Sequence, residues 1–216
     1  MTTLSIRSTP ARAPRLFLLL HSLLAGAAAL FASAAFAQAA GEAPDELIRR
    51  VSTDVLTTIQ TDPGLKGGDQ SKVQALVDQK VLPYVDFERM TASAVGRSWR
   101  QATPEQKSSL SSGFKNLLIK TYSGAMTSAG DVKLQFKPLK LAADENDTIV
   151  RSQVVQPRGG DPIQLDYRMA KEAAGWKIYD VNVLGVWLVE NYRTQFQQEI
   201  SRNGIDGLIT SLNAKK

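Results

Sequence analysis

The chain has 216 residues, with 26 basic and 21 acidic side chains, one histidine and no cysteine. The lack of cysteine excludes disulfides, thiolate nucleophiles and a lipidated amino-terminal cysteine, and the single His21 falls within a segment that reads as a leader. Removing that leader takes away three arginines and no acid, so 23 basic residues face 21 acidic ones, a balance that gives no nucleic-acid footprint.

The leader begins with Arg7, Arg12 and Arg15, continues as an apolar run from Leu16 to Leu30, and ends on Ala35-Phe36-Ala37. A basic start, a short apolar stretch and small residues at the end make a signal peptide, and cleavage is expected after Ala37. The run is too short and too rich in alanine for a membrane span, and no stop-transfer pattern follows it. Residues 38–216 are then expected to form one exported domain, large enough for a core that needs no disulfide. With neither histidine nor cysteine, that domain cannot hold a Ser-His-Asp triad or an ordinary zinc site. An enzyme here would have carboxylates, lysine or tyrosine alone to work with, and no catalytic residue, metal or cofactor is singled out.

Helical signals fill residues 44–130. Pro44 suits a first helical position, Asp45 and Glu46 favour the positive first turn, and Leu47, Ile48, Val51, Val55 and Ile59 share one stripe. The Gly/Asp-rich stretch from Asp62 to Asp69 reads as a loop. A second helix carries Val73, Leu76, Val77, Val81 and Tyr84, is interrupted near Pro83, and restarts with Asp86 capping Phe87 to Val95, where Gly96 closes it. Thr103-Pro104-Glu105-Gln106 is a capping box with proline at the first turn. It opens a long helix whose apolar positions are Leu110, Phe114, Leu117, Leu118, Tyr122, Ala125 and Met126, ended by Gly130.

From Asp131 to Val183 the period changes to two. Val132, Leu134 and Phe136 alternate with polar residues, Thr148 to Gln156 follows, then the turn residues Pro157, Gly159, Gly160 and Asp161. Ile163, Leu165, Tyr167 and Met169 alternate again, and a fourth strand runs from Trp176 to Val183. Short links predict an antiparallel meander with one face covered by helices, an α+β fold. The acidic cluster Asp144, Glu145 and Asp147 lacks the glycine and distal glutamate of a calcium loop and reads as a solvated turn. Helical spacing returns over 186–213, with Leu188, Tyr192, Phe196 and Ile200 before a stop at Asn203-Gly204, then Ile205, Leu208, Ile209 and Leu212. An apolar sheet face under helices is either a closed core or a cavity. The adaptable fillers Tyr122, Met126, Tyr167, Met169 and Tyr179 suit a pocket. Arg97, Arg100 and Arg193 are candidates to meet a phosphate, although surface helix arginines are common.

The run from Gly96 to Gln106, continuing to Phe114 and Thr121-Tyr122, resembles the signature region of the MlaC family, also called the toluene-tolerance family. The segments Tyr179 to Val186, Asn191 to Phe196 and Gly204 to Leu208 resemble its second block. The resemblance implies a periplasmic phospholipid carrier of NTF2-like flavour, with a curved four-stranded sheet enclosing acyl chains and the head group left outside. It implies glycerophospholipid as cargo and transient exchange with an inner-membrane ABC transporter complex and an outer-membrane lipoprotein–porin complex, which maintains outer-membrane lipid asymmetry. On that reading the lining is expected to include Phe114, Leu118, Tyr122, Met126, Leu134, Phe136, Val150, Leu165, Tyr167, Met169, Tyr179, Val181 and Val183, with Arg97 and Arg100 near the head group. The rivals are an enzyme on the same fold, which needs inward carboxylates or lysines, and a periplasmic chaperone or protein-binding module with an apolar groove.

Overall fold

A computed structural model describes residues 41–127, 132–156 and 159–214, with the side chains of residues 125–127 excepted. The leader, including its arginines, its apolar run and His21, lies outside the described residues, as do Gly130, Pro157 and the side chains of Ala125 and Met126. Among the described residues no helix is long and apolar enough to cross a membrane.

The first helix, α1 (Pro44–Thr61), buries Leu47, Ile48, Val51 and Ile59, the stripe that its spacing predicts. The expected loop after it contains one extra turn, α2 (Pro63–Lys66), because Asp62 caps the amides of Gly64 and Leu65. Helix α3 (Gln70–Leu76) loosens into a π-helical turn over Val77–Val81 and tightens at Leu82–Tyr84, where Pro83 cannot continue the ladder. Two ion pairs hold this irregular segment, Lys80 to Asp54 of α1 at 2.7 Å and Lys115 of the long helix to Asp78 at 3.0 Å.

Helix α4 (Phe87–Val95) starts where Asp86 accepts a hydrogen bond from the Arg89 amide. A tight turn over Gly96–Arg100 leads to α5 (Pro104–Thr127), whose capping box is reciprocal: the Thr103 amide donates to Gln106 Oε1 and the Gln106 amide to Thr103 Oγ1. The strands β1 (Lys133–Phe136), β2 (Asp147–Val155), β3 (Ile163–Glu172) and β4 (Gly175–Val183) form the expected antiparallel meander.

A fifth strand, β5 (Val186–Trp187), pairs with Asn182 and Val183 before α6 (Leu188–Ala214) begins. The sheet is therefore five-stranded rather than four-stranded, and the last helical region starts two residues later than its spacing suggests. The cause is the two-residue turn Leu184-Gly185, where both residues have positive φ, as a hairpin of this hand requires. Helix α6 is kinked at Gly204, which has φ 70° and ends the first helical pattern at the expected place.

The buried side chains fall into three clusters. Around Phe114, helices α4, α5 and α6 bury Met90, Val95, Leu110, Leu188, Tyr192, Phe196, Leu208 and Leu212. The Phe114 ring meets Tyr192 and Phe196 edge-on at 5.1 Å each. A second cluster packs Leu47, Ile48 and Val51 of α1 onto Val150, Met169, Trp176 and Ile178 of the sheet. A third, smaller one joins Ile59, Leu65, Val73 and Leu76, with Ile119 of α5 against it.

Candidate lipid-binding cleft

Strand register shows where the sheet is covered. Thr148, Met169 and Ile178 lie side by side, then Val150, Tyr167 and Val181, then Phe136, Ser152, Leu165 and Val183, and last Leu134, Val154 and Ile163. These rows share one face because side chains alternate along each strand. The first row and Val150 sit under α1 and are buried. Beyond them Leu134, Phe136, Val154, Ile163, Leu165, Tyr167, Val181 and Val183 are only half-buried, although they stand on the helix side of the sheet.

Among the described residues, the helix cluster and the α1–sheet cluster have only half-buried Val85 and Val181 in common. Leu134, Val154, Ile163 and Leu165 pack against none of the three clusters, among the described residues. Leu118 and Tyr122 of α5 are also half-buried, at the margin of the helix cluster. These half-buried apolar residues of the inner face and of α5 are the candidate lining for a ligand's apolar chains. No ionised side chain belongs to these rows. Burial pushes the Tyr122 phenol above its ordinary value, helped by the neighbouring Tyr192. Burial likewise raises Tyr167, against the opposing effect of hydrogen bonds with Ser52 and Ser152.

Three expected lining residues are enclosed by protein instead. Phe114 is the centre of the helix cluster, and Val150 and Met169 are the floor under α1, each 0% exposed. Tyr179 is displaced for another reason. Arg168 pairs with Asp180 but Met169 pairs with Ile178, so Tyr179 is the extra residue of a β-bulge. Its hydroxyl donates to Asp147 at 2.8 Å and the Arg89 guanidinium stacks on its ring at 3.7 Å, which places it in a surface cluster. The bulge lets Trp176, Ile178, Val181 and Val183 all face inward, a set that strict alternation cannot give. Met126 lies outside the described side chains.

Arg97 and Arg100 are exposed on the turn before α5, which packs against α4 and α6. Arg193 is spent on the Ser93 carbonyl, 2.9 Å from its Nε. The arginine that touches the inner face is one the sequence pattern did not single out: the Arg49 guanidinium stacks over Phe136 at 4.4 Å. Ser52 and Ser152 were also missed, since a serine within an apolar alternation carries no signal of its own. The acidic cluster closes as a turn, with the Ala142 amide donating to Glu145 and the Asn146 side chain to the Asp144 carbonyl. An open hollow of about 530 Å³ lies beside it, bordered by Lys140, Glu145, Asp147 and Arg151 and reaching Leu139 and Thr148 at the edge of the inner face.

The two sequence blocks that carry the family resemblance meet in space. Gln106 Nε2 donates to Asp206 at 2.7 Å, and a side chain at Gly96 would press on Gln197. They brace the helix cluster.

Comparison with known proteins gives consistent results. A solved phospholipid-binding protein from Ralstonia solanacearum, in complex with a phospholipid, is 46% identical and superimposes with a TM-score of 0.75 over 78% of this chain and 94% of its own. The intermembrane phospholipid transport system binding protein MlaC of Haemophilus influenzae is 26% identical over 78% of this chain and 80% of its own length. The toluene tolerance protein ttg2D of Pseudomonas putida is 23% identical over 77% of each. Residues 49–214 match the MlaC protein family, and the chain belongs to it.

Proposed function

We propose that this chain is a periplasmic phospholipid carrier, exported by cleavage after Ala37, which holds acyl chains in the cleft between α5 and the far half of the sheet. The observation that carries the reading is the set of inner-face apolar residues, Leu134, Val154, Ile163 and Leu165, that pack on no core cluster among the described residues. Such a surface, left wet, is destabilising, and a lipid's chains cover it. The phospholipid held by the Ralstonia solanacearum relative names the cargo class.

Exposing roughly thirty methylenes to water costs about 25 kcal/mol, at about 0.8 kcal/mol each, so unaided transit between membranes is negligible. Transfer from hydrocarbon into an apolar cleft is nearly neutral, so loading is reversible and direction comes from partners. Those partners are an inner-membrane ABC transporter complex and an outer-membrane lipoprotein–porin complex, and the exchange maintains lipid asymmetry in the outer membrane. The head group stays in water, where its charge keeps its hydration. Arg49, stacked on the ring of Phe136, is better placed at the rim than Arg97 and Arg100 on the helix side. Among the described residues, the inner-face rows of the sheet contain no carboxylate or lysine, and the guanidinium of Arg49 at Phe136 is the ionised group beside them, which favours carriage over catalysis.

Native mass spectrometry of the protein as purified tests the proposal. The expected spectrum contains a folded species heavier by the mass of glycerophospholipid, and organic extraction recovers that lipid. Folded protein that yields no lipid, before or after incubation with phospholipid vesicles, refutes it.

A further inference from the structure

We infer that Arg49 holds the phosphate of the bound lipid and makes the carrier prefer phosphate-bearing lipids to neutral ones with the same chains. The inference rests on the carrier reading above. Arg49 and Arg50 are adjacent on α1, yet the structure uses them differently. Arg50 is spent: it donates to both carboxylate oxygens of Glu42 at 2.7 Å each, and its guanidinium lies over the ring of Tyr84. Arg49 is exposed and, among the described residues, makes no ion pair or hydrogen bond with another. What it meets is the ring of Phe136, 4.4 Å from its guanidinium carbon.

The place of that contact matters. Leu47, Ile48 and Val51 bury themselves on the sheet, and the guanidinium of Arg49, between them in sequence, reaches the side of β1, the edge strand. Phe136 ends β1 and still packs against the α1–sheet cluster, whereas Leu134, two residues back on the same face, packs on none of the three clusters. Arg49 therefore stands where the covered part of the inner face gives way to the uncovered part, at a margin open to water.

Chemistry then selects the ligand. A cation–π contact occupies the face of a guanidinium and leaves the N–H groups in its plane for an acceptor. Acceptors that match two parallel N–H donors are carboxylates and phosphates. A lipid whose chains cover Leu134 and Leu165 while its head group stays in water brings its phosphodiester to this margin. The half-buried Phe136 ring shields the pair on one side, so it is worth more than an ion pair surrounded by water.

The test loads delipidated protein from vesicles of dioleoyl phosphatidylglycerol with a minor fraction of dioleoylglycerol, and reads by mass spectrometry the ratio of the two lipids recovered with folded protein. Both lipids come from the same vesicle, so a change in how often the protein meets the membrane cancels from the ratio. Wild-type protein is expected to be enriched in the phosphate-bearing lipid relative to the vesicle. Arg49→Gln should lower the ratio about fivefold or more, through loss of a charge-assisted hydrogen bond, with dioleoylglycerol per folded molecule unchanged. Arg49→Lys keeps the charge without the planar fork and should fall between the two, which decides the matter if Arg49→Gln does not fold. A ratio unmoved by these substitutions overturns the inference, as does one that falls only when Arg97 and Arg100 are replaced by glutamine. Inorganic phosphate added during loading should leave the wild-type ratio unchanged, because the chains hold the lipid's own phosphate at the site; a ratio abolished by the free ion overturns the assignment to lipid. A wild-type protein that takes up neither lipid overturns the carrier reading itself, an outcome distinct from uptake of both in the vesicle's proportions, which overturns only the role of Arg49.

Discussion

Met169 and Leu165 share a face of β3, yet the first is closed in by α1 and the second is half-buried and packs on none of the three core clusters. Substituting tryptophan at each separates the two environments. Met169→Trp overpacks a filled site and should lower stability by about 1–3 kcal/mol while lipid content per folded molecule is unchanged. Leu165→Trp should do the reverse: it occupies space meant for chains, lowers co-purified lipid, and leaves the melt of delipidated protein about where it was. Denaturant melts paired with lipid extraction check both. A second residue, Asp180, is buried on the opposite face, where it accepts hydrogen bonds from the amides of Val181 and Val189 and pairs with Arg168 at 3.0 Å. Burial raises its pKa in spite of the amides and the guanidinium. The folded state thus holds this proton more tightly than the unfolded one. The associated stability is present in full below the unfolded carboxylate pKa, near about 4, and is lost as pH rises from there through the folded value. Relative to Asp180→Asn, which cannot titrate, the wild-type protein should lose stability over that window and then level off, as melts across a pH series would show.

Elements with a strong local cause were legible in the sequence, and those made by pairing were not. The caps at Asp86 and Thr103 and the stripe of α1 appear where residue type and spacing put them, because each is decided within a few residues. The bulge at Tyr179 is decided by β3 on the other side of the ladder, and it takes Tyr179 off the inner face while Val181 and Val183 stay on it. For the same reason the apolar alternation in β3 marked Leu165, Tyr167 and Met169 alike. Only the placement of α1 decides which of them is covered. The hairpin joining β4 to β5 was hidden because leucine is a poor signal for a turn: Leu184 has φ 53° and its side chain is 64% exposed. A left-handed backbone costs a branched residue about 1–2 kcal/mol, and asparagine or glycine tolerates it better. Leu184→Asn is therefore expected to stabilise the protein by roughly 1 kcal/mol in denaturant melts, and a loss of stability would show that the exposed leucine makes a contact of its own.

Residues 38–216 carry 23 basic and 21 acidic side chains, a near balance that leaves recognition by this part of the chain to local arrangements of charge rather than to an overall field. Docking to membrane complexes through polar rims should be brief, since a carrier that binds tightly at either end stops cycling. Raising ionic strength should shorten the lifetime of such complexes in surface-binding measurements. Dissociation over hours with no dependence on salt contradicts it.

The contact between Gln106 and Asp206 joins residues 100 positions apart, and so does that between Arg193 and Ser93. The sheet, by contrast, pairs each strand with the next in sequence. Loop closure makes distant contacts slower to form than neighbouring ones, so the meander can zip up by local steps while the helix cluster waits for the end of the chain. Until Leu188 to Leu212 arrive, Phe114 has neither Tyr192 nor Phe196 beside it. The newly made chain is therefore expected to pass through a stage in which the sheet is formed and the helix cluster still exposes aromatic surface, the stage at which it is most open to aggregation. Closing that cluster is expected to come last in folding, so on the proposed reading the ability to hold a chain of hydrocarbon should be acquired only when the carboxy-terminal helix docks.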